Sequence, residues 1–376
     1  LQYYITIIYM VKHLYIHVPF CHRICPYCSF YKHTFGDINQ SELVESLLKE
    51  ISLRKKDHDF NIETIYLGGG TPSALSYKYL ERLLSGINEQ INPTDLDEWG
   101  VEVNPSTFDH KKASMMKDHG VTRISLGIQS WNDSILKTLG RDHSPSDAEE
   151  SFNILKSCQF KSLNIDLMFS IPGQSLNDWE RDLQKTISLS PEHISAYNLN
   201  YEEDTEFFDR LKSGEFFEDP EKDGDHFSCA MSKLASAGYN HYEISNYALT
   251  GHESKHNSSY WRGVDYLGIG PGAFSTLKRK RWRNVPDTKK YISLLQNNSI
   301  NLVETEIETI NDSSYRVERI ALQLRTSEGL DFHYIENNLD KFKELESENL
   351  IIKSENKVHL TEKGKMVADS VVAHLI

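Results

Sequence analysis

From residue 13 to residue 200, short apolar runs alternate with stretches of helical periodicity, and this alternation constrains the fold more than any other feature of the 376-residue chain. The runs fall at 14–20, 64–67, 100–103, 123–128, 163–169 and 193–199. Helical spacing of apolar residues marks 41–53, 77–91, 146–158 and 177–189. Strands alternating with helices predict a parallel sheet with right-handed crossovers, an α/β architecture. Six units suit an open doubly wound sheet or a partial (β/α) barrel, and both place ligands at the carboxyl ends of the strands. The chemically unusual residues sit there: three cysteines after the first run, GGGTPS after the second, NPS after the third and Gln129 after the fourth.

The alternation ends near residue 200, which divides the chain into expected domains. Residues 1–12 read as an extension, with translation expected to begin at Met10; 13–200 form the α/β domain. Residues 201–310 form an extension: a charged helical part (202–237), a loop-rich part (238–275) and a basic patch, KRKRWR, at 278–283. The patch reads first as solvated surface and second as a contact for an anionic ligand or a membrane. In the last part, 311–376, helical segments at 313–324, 331–338 and 340–348, a hairpin at 350–360 and a closing helix at 362–376 predict a winged-helix-like domain. Its segment DKFKELESENL carries four acids against two lysines, which favours a structural role.

Composition narrows the function classes. Forty-one Lys and Arg against 55 Asp and Glu give a net charge of −14, the wrong sign for general nucleic-acid binding. No apolar run approaches the ~20 residues a membrane span needs. Five cysteines are too few, and odd in number, for a disulfide framework, so a reducing cytoplasm is expected. Cys158 and Cys229 are expected to be small buried apolar residues.

The strongest chemical signal is Cys21, Cys25 and Cys28 in CHRICPYC, a CxxxCxxC spacing. Three thiolates in eight residues point to a metal site. Zinc needs a fourth ligand, for which His22 or His33 is in range. An iron–sulfur cube held by three thiolates keeps one iron open to a small chelating molecule. Downstream, the triple glycine of GGGTPS allows close backbone approach to a ligand. Asp166, inside the apolar run LNIDLMF, needs a ligand or a cation as partner.

CxxxCxxC after a first strand, a Gly-rich loop after the second, and Tyr27 just before the third cysteine resemble the radical S-adenosylmethionine (SAM) superfamily. The resemblance implies a partial (β/α) barrel of the radical SAM type and a 4Fe-4S cluster on Cys21, Cys25 and Cys28. It also implies SAM chelated to the open iron and cleaved by an electron from the cluster to a 5′-deoxyadenosyl radical. By position, Tyr15, Tyr27, Gly69, Gly70, Thr71, Glu102, Gln129, Arg141 and Asp166 match family residues around SAM. Arg141 suits a carboxylate, and Gln129 and Asp166 suit ribose hydroxyls. Asn200 falls at a further such position and is not assigned.

The order YIHVPFC, CPYCSF, YLGGGTPS, VEVNPS, ISLGIQS, GRDHS and DLMFSIPGQ, with a match over residues 13–376, resembles the oxygen-independent coproporphyrinogen III oxidases and their relatives. The oxidases commonly carry a further cysteine two positions after the third; here that place is Phe30, which weighs against decarboxylation. His256, Asn257, Tyr260 and Trp261 form an HNxxYW motif similar to that of the heme chaperones of the HemW type. That branch implies a cytoplasmic protein that binds heme and passes it to acceptor proteins, membrane respiratory enzymes among them, with peripheral membrane contact. The alternatives are an oxidase turning two propionates of coproporphyrinogen III into vinyls, and a zinc-stabilised winged-helix regulator.

Overall fold

Residues 9–36, 38–92 and 96–376 are described in the computed structural model. They form two compact units, each discontinuous in sequence. The first takes in the chain through Ile128, then Gly140–Leu163 and Asp265–Thr309; the second takes Gln129–Leu139, Asn164–Val264 and Ile310–Ile376. The expected start at Met10 turns on residues 1–8, which lie outside the described residues.

The first unit is built on parallel strands β1 (Tyr9–Val18), β2 (His58–Gly69), β3 (Glu98–Val103) and β4 (Arg123–Gln129). The register pairs Ile16 with Leu67, Leu67 with Val101 and Val103 with Leu126. β1 begins before the expected 14–20, and Tyr9 already faces His58. The strands read as continuous apolar runs because helices cover both faces of such a sheet; RISLGIQ is buried at its first six positions. Helices Gln40–Asp57, His110–Asp118 and Pro145–Ser157 start where the side chains of Asn39, Asp109 and Ser144 accept a backbone N–H of the first turn. Ser144 and Asp147 complete a reciprocal capping box.

A short strand, Leu267–Ile269, returns late in the chain and pairs in parallel with the free edge of β1. A buried charge holds this returning segment. The Glu50 carboxylate accepts from the Tyr291 hydroxyl (2.6 Å), the Gly270 N–H (2.9 Å) and Asn284 Nδ2 (2.9 Å). Arg54 pairs with Glu50 at 3.3 Å and with Glu304 at 2.5 Å, the full satisfaction a buried ion requires. Beyond it, strands Phe274–Leu277, Lys280–Asn284 and Glu304–Thr309 form an antiparallel sheet. Residues 280–283 of the basic patch lie on its middle strand, where Lys280, Arg281 and Arg283 pair with Glu304, Glu308 and Glu306. These three cations are thus matched by a neighbouring acidic strand.

In the second unit β5 (Ser162–Phe169) and β6 (His193–Asn198) run parallel, with Ile165 opposite Ile194. Strand Asn246–Ala248 joins β6 antiparallel and Asn240–Glu243 joins it in turn. Helices Leu176–Leu189, Glu206–Lys212, Pro220–Ser236 and Lys255–Arg262 pack around them. The chain closes in a winged-helix-like arrangement: helices Asp312–Gln323 and Leu339–Ser347, and a small sheet of Leu330–Asp331, Lys357–Leu360 and Ile351–Ser354. Its core is Ile320, Leu324, Leu345, Val358, Val371 and Leu375.

Three expectations change here. Residues 331–338 form two 3-10 turns, Phe332–Tyr334 and Glu336–Asn338, rather than a helix. The closing helix breaks at Val367 (φ −126°, ψ 32°) into Glu362–Met366 and Ala368–Leu375. Cys158 and Cys229 are half-buried, not buried. Among the described residues no helix is long and apolar enough to cross a membrane.

Candidate functional site

In the first unit, the cysteine loop leaves the carboxyl end of β1 and is pinned at its base. The Cys21 N–H donates to His33 O (3.0 Å) and the His33 N–H to Pro19 O (2.9 Å); within the loop the Cys28 N–H donates to Cys25 O (3.2 Å). The glycine loop after β2 closes on this base, with the Gly70 N–H donating to Val18 O (3.0 Å) and the Thr71 N–H to Phe20 O (2.7 Å). A Cβ at residue 70 would lie 2.6 Å from Phe20 O and 2.7 Å from Val18 O, so only glycine permits this approach. Gly69 adopts φ +99°, and a Cβ there would sit 2.2 Å from the His17 ring.

A run of hydrogen bonds then ties two thiols together. Thr71 Oγ1 donates to Cys21 Sγ (3.8 Å) and accepts from Asn104 Nδ2 (2.7 Å). Asn104 Oδ1 accepts from Arg141 Nη2 (2.7 Å), which also reaches Gly127 O (2.7 Å), and Arg141 Nη1 reaches Cys25 Sγ (3.6 Å). Thr71 and Arg141, both expected at the site, are brought together. Asn104, the first residue of NPS, was missed as their link; its signal was a polar residue directly after β3.

The electrostatics suit a group that turns thiols into thiolates. Burial pushes the Cys21 thiol up to about 11 and also raises Cys28, where the Lys32 ammonium pulls the other way. Lys32 donates to the carbonyls of Cys28 and Phe30. Burial likewise raises the Tyr27 phenol, with Cys25 adding to the effect. The Arg141 Nε is buried without a partner. Two cations, Lys32 and Arg141, stand beside the thiols and match the charge that appears when metal displaces thiol protons.

Among the described residues no three His, Cys, Asp or Glu side chains converge on one ion. The two His33 ring nitrogens face Thr34 O and Thr288 Oγ1, both at 2.8 Å, which leaves His33 no lone pair pointing at the loop.

Glu102 and Tyr15 lie at the same strand ends. Glu102 Oε2 accepts the Gly69 N–H (3.1 Å), so this carboxylate holds the glycine loop. His17 Nε2 faces the Tyr31 carbonyl (2.7 Å) and therefore carries the proton; Nδ1 then accepts from the Tyr15 hydroxyl (3.0 Å). Burial lowers His17 to about 4 and keeps it neutral.

Gln129 and Asp166 belong to the second unit. Gln129 ends β4 in the left-handed region (φ 72°), an unusual state for a non-glycine residue. The turn after it is fastened by Asp182, which accepts from Ser130 Oγ (2.7 Å) and the Trp131 N–H (2.8 Å) and is pushed up to about 6 by burial. Asp166 Oδ1 accepts from Asn164 Nδ2 (2.7 Å). A directed series continues: Asn164 Oδ1 faces His193 Nδ1 (2.7 Å), His193 Nε2 faces the Tyr242 hydroxyl (2.8 Å), and that oxygen accepts the Ser254 N–H (3.2 Å). Ser254 caps the helix that carries HNxxYW.

The motif itself is split by its helix. His256 is fully buried, with Nε2 2.9 Å from the Tyr260 hydroxyl and the rings edge to face. Asn257 and Trp261 instead line a cavity of about 1520 Å³. Its walls come from Phe169 and Ser170 at the end of β5, residues 196–201, residues 215–225 with Phe227 and Ser228, residues 243–246, Lys363 and residues 365–370. The Arg325 guanidinium lies 5.2 Å over the Trp261 ring on the same wall.

Comparison with known proteins bears on this geometry. Residues 15–186 match the model of the Radical SAM superfamily. The chain is 34% identical to heme chaperone HemW of Bacillus subtilis over 96% of its length and 98% of that protein. It is 34% identical to heme chaperone HemW of Lactococcus lactis over 95% of each. The solved structure of Escherichia coli coproporphyrinogen III oxidase (HemN), described as a radical SAM enzyme, superposes with a TM-score of 0.83. It covers 98% of this chain and 90% of that one at 20% identity, which establishes a shared fold.

Proposed function

The chain belongs to the radical SAM superfamily and, within it, to the HemW family, and on that premise we propose that it is a heme chaperone that binds heme and hands it to acceptor proteins. The observation that carries the heme reading is the cavity of about 1520 Å³ with Trp261 and Asn257 on its wall. That volume is ample for a flat macrocycle, and Trp261 offers it an aromatic face to stack on. His256 is the proposed iron ligand; its Nε2 must first leave the Tyr260 hydroxyl. Membrane respiratory enzymes are the proposed acceptors, and the cytoplasm the proposed location.

Cys21, Cys25 and Cys28 are the proposed ligands of a 4Fe-4S cluster, which when bound supplies an electron donor beside the sulfonium of SAM. Thr71 and Arg141 donate to two of the sulfurs and so favour their charged form. Arg141, with its Nε unpartnered, is the proposed contact of the SAM carboxylate. Glu102 holds the Gly69 N–H, and so the start of the glycine loop, in place for the same ligand. Tyr15 and Tyr27 flank it, and Gln129 and Asp166 are proposed for the ribose hydroxyls. Phe30, 68% exposed, stands where the oxidases commonly have a cysteine.

The test is a hemin titration of the anaerobically reconstituted protein followed by ultraviolet–visible spectroscopy, with coproporphyrinogen turnover measured on the same sample. Saturable hemin binding without turnover is expected. Turnover to protoporphyrinogen would make the chain an oxidase and remove the weight given to Phe30.

A further inference from the structure

The cavity in the second unit has two walls of opposite charge. Along one side runs the segment 215–225, with Glu218, Asp219, Glu221 and Asp223 among its acids. On the other stand Arg325, after the helix Asp312–Gln323, and Lys363 and Lys365 of the helix Glu362–Met366. Two of these cations are held without a close carboxylate partner of the kind a buried charge normally takes: Lys365 meets a neutral ring, and Arg325 keeps one loose, exposed carboxylate. Lys365 is half-buried, its ammonium donates to His241 Nδ1 (3.3 Å), and burial lowers its pKa. His241 is itself held neutral: burial lowers it to about 4, and its Nε2 donates to Ile244 O (3.0 Å). Arg325 is paired with Asp369 at 3.4 Å, but that carboxylate is 96% exposed and the pair is weakly held. The Arg325 Nε is buried without a partner.

We propose that Arg325 and Lys365 bind the carboxylates of a tetrapyrrole whose ring lies against Trp261, an assignment that rests on the heme reading above and specifies how heme is recognised. The Arg325 plane over Trp261 presents a preorganised fork to a carboxylate. The acidic wall repels the same carboxylates, so the ring enters in one orientation, with its propionate edge toward residues 325 and 365. The C-terminal winged-helix-like part therefore supplies ligand contacts, which gives it a role without nucleic acid.

The experiment compares hemin with hemin dimethyl ester, whose propionates are uncharged, on the full chain and on Arg325→Gln and Lys365→Gln. Each variant should bind hemin about ten- to hundred-fold more weakly, the loss of one charge-assisted contact, and bind the dimethyl ester as the unaltered protein does. Far-ultraviolet circular dichroism of each variant checks its folding. Equal hemin affinity in all three proteins overturns the assignment. Equal weakening of both ligands does so too, because it reports a disturbed wall and not a lost ion pair. Absence of saturable hemin binding by the unaltered protein removes the heme reading and the assignment together.

Discussion

The cysteine loop and the HNxxYW cavity, the two proposed ligand sites, are built in opposite ways. The loop concentrates its donors within eight residues, Cys21 to Cys28, and braces them with Thr71, Asn104 and Arg141 through hydrogen bonds of 2.7–3.8 Å. The cavity draws its walls from segments as far apart as Phe169 and Ser370 and leaves about 1520 Å³ between them. A small ligand bound by covalent metal–sulfur bonds calls for near-fixed donors. A large flat ligand that must leave again calls for a wide pocket and few committed contacts.

If the two regions hold separate ligands, the first way to break the comparison is Cys25→Ala. Reconstituted variant protein should lose most of its iron and sulfide, the largest effect expected, while hemin binding is kept. Loss of both would mean that the two ligands are not separately held.

The next prediction concerns the cavity wall alone. Glu243, 2% exposed, accepts from the Ser245 N–H (3.1 Å) and from Asn246, and burial raises its pKa to about 7, with Arg325 opposing. The unfolded chain gives up this proton near the ordinary value of 4.5, so stability should fall as pH rises from about 4.5 to about 7. Glu243→Gln should cancel that fall and stabilise the protein at pH 8 by on the order of 3 kcal/mol, read from denaturant midpoints at pH 5 and pH 8. A variant no more stable at pH 8 than the unaltered protein would contradict the shift.

Arg141→Ala sharpens the contrast on the loop side. It removes the link to Asn104 and Cys25, and SAM binding should weaken by roughly 1.5–3 kcal/mol, measured by calorimetry on the cluster-loaded protein. Unchanged SAM affinity would take Arg141 out of that site. The smallest effect is expected at Tyr260→Phe, which frees His256 Nε2 from its 2.9 Å partner. Hemin affinity should rise by about 1 kcal/mol if His256 is the iron ligand, and His256→Ala should cancel the gain. No change in either variant would leave His256 a packing residue.

How much of this was legible beforehand follows the same divide. The six strands were readable because each is an apolar run buried on both faces, and the cysteines because their spacing is local. Asn104 was not singled out, since a polar residue after a strand is common and its two partners lie 33 and 37 residues away. The pairing of KRKRWR with Glu304, Glu306 and Glu308 was hidden because strand register is not written in either segment alone. The split of HNxxYW, with His256 inward and Trp261 on the cavity, depends on how one helix is turned, which a motif does not state. Lys365 and Arg325 carried no signal at all, because how loosely a cation is held is visible only once its neighbours are known.

The late return of Leu267–Ile269 to the edge of β1 also has a consequence during synthesis. β1 and β2 leave the ribosome first, and the strand that covers the open side of β1 follows roughly 200 residues later, ~10–40 s at ~5–20 residues per second. For that interval the nascent chain carries an uncapped parallel edge, the surface most prone to pair with a neighbouring polypeptide. Keeping it single until residue 269 emerges is a task for whatever binds the growing chain.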